Sequence, residues 1–190
     1  MEIYEVLKKD HELVKGLLTQ LVNLKEGEEG VRHDLIEMIR DELVPHSRAE
    51  EAVFYNSMRM LDASRAIAMH GYQDHMEAEA LLRSLQVQDK IDVKWRQTAM
   101  KLKSSLEDHI AEEEGEMFAA ARALFTKDEA VAMGEAFEQM KPEIKSEGIG
   151  MTTIEMLKNL MPPRLMMSID DLSIPFFNKK GDGDSVGKNR

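Results

Sequence analysis

Apolar residues recur every three or four positions through most of this chain, the period of one face of a helix. A first stripe, Ile3, Leu7, His11, Val14, Leu18 and Leu21, predicts a helix over about residues 2–25, broken by Glu26-Gly-Glu-Glu-Gly30. A second, Leu35, Ile39, Leu43, His46, Glu50 and Val53/Phe54, predicts a helix over about residues 31–61, with a kink expected at Pro45, just before His46. A third, Ile67, Gly71, His75, Ala78/Glu79, Leu82 and Leu85, follows the candidate N-caps Asp62 and Ser64 and predicts a helix over about residues 63–88. The fourth runs Trp95, Ala99, Leu102, Leu106, His109, Glu113, Met117, Ala120 and Leu124, predicting a helix over about residues 91–125. Thr126-Lys-Asp-Glu129 has the form of a capping box for a fifth helix, expected to end near Pro142.

Four long helices joined by short breaks predict an all-α fold, an up-down-up-down four-helix bundle with an extra C-terminal helix, over residues 1–145. Residues 146–177 read as a short helical or irregular extension. Its amphipathic segment at 152–161 is stopped by Pro162-Pro163, and it is expected either to cap the bundle or to meet a protein partner. Residues 178–190, rich in Gly and charge, are expected to be a disordered tail.

The apolar stripes carry unusual passengers. His46-x-x-x-Glu50 and His109-x-x-x-Glu113 each place an imidazole and a carboxylate on one helix face. His-x-x-x-Glu also occurs at His33/Glu37 and His75/Glu79, so the spacing alone carries little. Repetition and depth carry more. Asp10-His11 and Asp74-His75 open similar segments at an offset of 64 positions, and the two His-x-x-x-Glu pairs are offset by 63. The chain therefore reads as two helical hairpins, each with a lone His on its first helix and His-x-x-x-Glu on its second. In an antiparallel hairpin, residues equally far from the turn lie at one level. His11 is about 14 residues before the first turn and His46 about 15 after it, roughly 21–23 Å in each case. The same count brings Glu50, His75, His109 and Glu113 near that level.

A buried, unpaired carboxylate is costly. Two of them among four imidazoles, with no Lys or Arg on those faces, need cations. The candidate metal ligands are therefore His11, His46, Glu50, His75, His109 and Glu113. Glu79 is a weaker candidate for an extra ligand or the outlet of a proton path. Tyr4, Tyr55 and Tyr72 rank lower still as phenolate ligands or redox partners. His33 is expected at the surface, His70 at the surface or behind a ligand. Asp10 and Asp74 are able to orient a ligand His but are expected on solvated faces, and Glu51 and Glu114 are expected to point to solvent or a helix interface.

Composition narrows the chemistry. The chain has no Cys, which removes disulfides, thiolate nucleophiles, Cys-ligated zinc and iron–sulfur clusters. A metal held by His and carboxylate alone is expected to be iron, manganese or zinc. Acids outnumber bases 36 to 25, and a net charge of −11 argues against nucleic acid or an anionic membrane as partner. The acidic start, Met-Glu-Ile-Tyr-Glu, lacks a signal-peptide pattern, and no apolar run of about 18 residues is present, so a cytoplasmic location is expected. The 15 Met residues are read as adaptable core filler.

The order His11, His46-x-x-x-Glu50-Glu51, His75, His109-x-x-x-Glu113-Glu114 resembles the hemerythrin-like, or HHE cation-binding, family over roughly residues 1–140. The resemblance implies two non-haem iron ions, oxo- or hydroxo-bridged, with His11 and His46 on one, His75 and His109 on the other, and Glu50 and Glu113 between them. It implies a small diatomic or peroxide ligand, with oxygen or nitric oxide sensing or handling as the role. A di-iron peroxidase or catalase-type enzyme and an iron–sulfur cluster repair protein are the alternatives. Oxygen-carrying members place a His four residues beyond the third-helix His; this chain has Glu79 there, which leans away from reversible carriage.

Overall fold

The computed structural model describes residues 1–147, which are helical apart from short connections. The expected segment at 152–161 and the tail at 178–190 lie outside the described residues. The elements are α1 (Ile3–Val22), α2 (Glu29–Glu50), a π-helical turn (Glu51–Tyr55), α3 (Asn56–Arg59), α4 (Arg65–Gln86), α5 (Val93–Glu112), a second π-helical turn (Glu113–Met117), α6 (Phe118–Leu124) and α7 (Lys127–Glu147). Each π turn is continuous with the helices on either side. The chain thus forms four long rods, with α7 laid across α1 and α2.

The predicted helices are present, with local corrections. The first break falls earlier than expected: α2 begins at Glu29, inside the Glu26–Gly30 stretch, and the reversal is made at Gly27, whose φ of 93° favours glycine. α2 runs on through Pro45. Ser64 does occupy the N-cap position of α4, but its hydroxyl donates back to the Met58 carbonyl at 2.6 Å and does not cap that helix. α5 is capped by Asp92, whose carboxylate accepts from the Trp95 N–H at 2.8 Å. The capping box forms: the Thr126 N–H and hydroxyl both donate to Glu129, and the Glu129 N–H donates to Thr126 Oγ1.

α7 does not end at Pro142 but continues to Glu147. A helix-interior Pro forfeits one hydrogen bond. Here Ile144 is buried beyond it, and Lys141 and Lys145 both pair with Glu42 of α2, so the last turn is held from outside the helix.

The core is in two parts. One cluster, from Val14, Leu18 and Leu21 through Ile39, Leu82, Trp95 and Leu102, fills one end of the bundle. The other, built on Ile3, Leu7, Val53, Phe54, Met58 and Phe118, is closed by Met133, Phe137 and Met140 of α7. His11, His46, Glu50, His75, His109 and Glu113 are all buried and belong to neither cluster. On every rod they fall at or beside the changeover from one cluster to the other, so they form a polar layer between two apolar plugs.

Candidate metal centre

All six sequence-predicted residues meet in this layer. Glu50 Oε2 lies 3.6 Å from His46 Nε2 and 3.3 Å from His75 Nε2. Glu113 Oε2 lies 3.7 Å from His109 Nε2 and 3.5 Å from His11 Nε2. Each carboxylate therefore faces one His of its own hairpin and one of the other. The rings of His11 and His46 are 5.2 Å apart, and those of His75 and His109 are 4.9 Å apart. Two groups have ligand atoms mutually within 4.8 Å: His11, His46 and Glu50, and Glu50, His75 and His109.

The other ring nitrogens have partners of their own. His46 Nδ1 lies 3.2 Å from Asp10 Oδ2, and His109 Nδ1 lies 3.0 Å from Asp74 Oδ2. His75 Nδ1 lies 3.1 Å from Glu51 Oε1, and His11 Nδ1 lies 2.9 Å from Glu114 Oε1. An ionised carboxylate only accepts, so Nδ1 carries the proton and donates, which turns the Nε2 lone pair toward the centre. Glu51 and Glu114 thus lie at helix interfaces, one of their two expected places, whereas the expectation that Asp10 and Asp74 lie on solvated faces is corrected. All four are tied to buried imidazoles. The repeat holds the signal for this: Asp10/Asp74 and Glu51/Glu114 are equivalent pairs under the same offset of about 63 or 64 positions.

Lysine or arginine side chains hold three of those outer acids in turn. Lys141 pairs with Asp10 at 2.7 Å, Arg48 with Glu51 at 2.9 Å, and Lys8 with Glu114 at 3.6 Å. Burial would raise the Asp10 carboxyl, but hydrogen bonds from His46 and Lys141 outweigh it and hold the group below its usual value. Glu51 and Asp74 are lowered in the same way, their burial outweighed by bonds from His75 and His109 respectively.

The inner groups behave oppositely. Burial, reinforced by the charge of Glu50, pushes the Glu113 carboxyl well above its usual value. Burial alone would lower His75, but the Glu50 carboxylate 3.3 Å away and the hydrogen bond to Glu51 reverse it and raise the imidazole to about 9. His11 and His46 are lowered by burial, against the pull of Glu113 and Asp10 respectively. Without a metal, the layer therefore favours the protonated forms of His75 and Glu113.

The layer fits a cation on its own chemistry. Both oxygens of Glu50, both oxygens of Glu113 and His11 Nε2 are buried with no hydrogen-bond partner. Buried polar atoms without partners cost roughly 1–3 kcal/mol each, and a metal ion among these would satisfy the carboxylate oxygens and the His11 nitrogen together.

Tyr55, ranked with Tyr4 and Tyr72 from the sequence, is the one of the three that reaches the layer. A π turn closes its hydrogen bond over five residues and advances less angle per residue than an α turn. The turn after Glu50 thereby brings Tyr55 onto the ligand face, where an ideal helix would carry it off. Its ring stacks on His75 with centroids 5.2 Å apart, and its hydroxyl lies 3.4 Å from His109 Nε2. Burial and the charge of Glu113 raise the phenol well above its usual value, so it stays protonated.

The remaining candidates lie elsewhere. Tyr4 packs against Phe54 and Phe118 under the Arg122 guanidinium, and Tyr72 donates to the Glu51 carbonyl. Glu79 faces away from the layer and pairs with Arg48 at 2.6 Å and Arg83 at 3.0 Å. His33 is exposed, as expected, and His70 stands at the surface beside Asp74 and Glu112.

With this geometry, the family comparison is decisive. The hemerythrin HHE cation-binding domain matches residues 2–121, well over half of the chain. The chain belongs to that family. The described HHE bundle has His/Glu groups able to hold metal ions. It is also similar, at 24% identity over 153 residues, to a protein named DNA nickase from Nostoc sp. (strain PCC 7120 / SAG 25.82 / UTEX 2576). That match covers 80% of this chain but 43% of the relative, so the chain spans less than half the length of that protein. No helix among the described residues of the HHE chain is long and apolar enough to cross a membrane.

Proposed function

We propose that the layer holds two non-haem irons and that the protein binds dioxygen, peroxide or nitric oxide there, in a redox, sensing or handling role. The observation that carries this reading is the set of orphaned buried oxygens on Glu50 and Glu113, each carboxylate facing an imidazole from both hairpins. His11 and His46 would hold one iron and His75 and His109 the other, with Glu50 and Glu113 shared. Two irons held together would supply two-electron redox chemistry toward a small ligand.

The chain's own residues do the rest. Asp10, Glu51, Asp74 and Glu114 fix ring orientation and raise the basicity of the facing nitrogens. The two apolar clusters exclude bulk water from the layer. His75 and Glu113 hold protons when metal is absent and must release them as it binds. Tyr55 keeps an O–H donor at the layer through the physiological range.

That donor also favours the second reading, a di-iron peroxidase or catalase-type enzyme, because peroxide cleavage needs a proton at the departing oxygen. The relative's nickase activity finds no counterpart in the described features of a chain with net charge −11, and we propose no nucleic-acid or membrane partner.

The test is metal analysis of anaerobically purified protein, followed by visible spectra on adding air, nitric oxide and peroxide. About two irons per chain and a stable, reversible spectral change support binding or sensing. Steady gas release from peroxide supports the enzyme. Zinc alone, or no metal in a fully helical protein, overturns the redox reading.

A further inference from the structure

The two hairpins match in the layer but differ just outside it. At Asp10 the outer side is closed by α7, and Lys141 places an ammonium 2.7 Å from the carboxylate. At the equivalent Asp74, among the described residues, the ion-pair partners are histidines only, the ligand-bearing His109 and the surface His70. The residues flanking Asp74 have also changed character. His70 stands where the first hairpin has Val6, and Glu112 where it has Ala49; both of those are buried.

His70 Nε2 lies 3.3 Å from Glu112 Oε2 and 3.9 Å from Asp74 Oδ2, and one ligand atom from each of the three residues lies within 4.8 Å of the others. His70 and Asp74 are one turn apart on α4, and Glu112 reaches across from the end of α5. The two helices thus already bring together one imidazole and two carboxylates. Such a set suits Fe(II), Mn(II) or Zn(II) with water completing the shell.

We infer that His70, Asp74 and Glu112 form a solvent-accessible divalent-cation site that delivers ions to the buried layer. Asp74 joins the two places: the carboxylate that would hold the surface ion also accepts the His109 Nδ1 hydrogen bond at 3.0 Å. Where the first hairpin sets a fixed ammonium, the second sets an exchangeable cation, on the side that α7 leaves uncovered. The delivery role rests on the proposed buried centre; the surface ion itself does not.

The test uses Mn(II) as probe, counted by loss of the free-ion paramagnetic resonance signal, on the full chain with its layer already filled with iron. The native protein is expected to take up one further Mn(II), lost in His70→Ala and in Glu112→Gln. Both residues are exposed, so both variants should fold. His33→Ala, which breaks an exposed His/Glu pair with no third ligand, should keep the ion. In metal-free protein both site variants should load the layer several-fold more slowly while reaching the same final occupancy. No further Mn(II) in the native chain, or equal uptake in His70→Ala and Glu112→Gln, overturns the site. An extra ion with unchanged loading rate overturns the delivery role. A layer that never fills while surface Mn(II) is still counted would refute the buried centre and leave the surface site standing.

Discussion

His11 Nδ1 lies 2.9 Å from Glu114 Oε1, although 103 positions separate the two residues along the chain. The same bond joins His75 to Glu51 in the other direction between the hairpins. Each hairpin thus supplies the acid that orients the other hairpin's lone histidine. Replacing Glu114 or Glu51 with Ala should leave the bundle helical and weaken metal binding by about 10–100-fold, as loss of a partner behind a ligand His generally does. Isothermal titration of the metal-free protein measures this; unchanged affinity would show that these acids are only surface polar groups.

Glu113 is expected to be necessary for metal and costly without it. When the layer lacks metal, burial and Glu50 both oppose the charge of its carboxyl. Glu113→Gln should therefore raise the thermal stability of the metal-free protein by about 1–2 kcal/mol while emptying at least one metal position. Calorimetry with elemental analysis checks both. Full occupancy in this variant and in His109→Ala would remove both residues from the ligand set.

The pH dependence follows from His75. Its imidazole is raised from 6.5 to about 9 in the metal-free fold. A group raised on folding contributes stability below its unfolded value and loses it as pH rises through its folded value. Metal-free protein should therefore lose up to about 3 kcal/mol between pH 6.5 and 9. Glu113, also raised, adds a loss of the same sign beginning above 4.5. Metal needs the proton-free His75 nitrogen, so the increase in Tm on metal addition should grow across the same window. A flat or falling increment would place His75 outside the centre.

Gly71 sets the position of Tyr55. A Cβ at Gly71 would fall 2.6 Å from the Tyr55 ring, too close to fit without displacing it. Gly71→Ala should cost about 1–3 kcal/mol by overpacking, against a smaller gain in helix propensity. It should also alter the visible spectrum of the metal-loaded protein, as Tyr55→Phe should through loss of the hydroxyl. Wild-type stability and spectrum in Gly71→Ala would mean the ring moves freely and has no fixed place at the layer.

Much of this was legible in the sequence because burial at helical spacing is hard to disguise. His11, His46, His75 and His109 lie on stripes that must face inward, and Glu50 and Glu113 share those faces. What periodicity could not show was a change of period. The π turns at Glu51–Tyr55 and Glu113–Met117 rotate the following residues by a different angle, so nothing in the spacing raises Tyr55 above Tyr4 and Tyr72. Contacts between rods were equally hidden. Whether Glu51 meets solvent or His75 depends on how two helices are rotated against each other, and the salt bridge from Lys141 to Asp10 depends on where α7 lies. Pro142 signals a helix end in sequence, and only the packing of Ile144 and the pairing of Lys145, which sequence does not show, sustain the last turn of α7.

The central claim is that the two pairs of histidines hold two irons. Anomalous diffraction at the iron absorption edge, from crystals of anaerobically purified protein, tests it most directly. Two peaks are expected inside the bundle, one bounded by His11 and His46 and the other by His75 and His109, with Glu50 and Glu113 reaching both. A single peak, no peak, or iron found only outside this layer would contradict it.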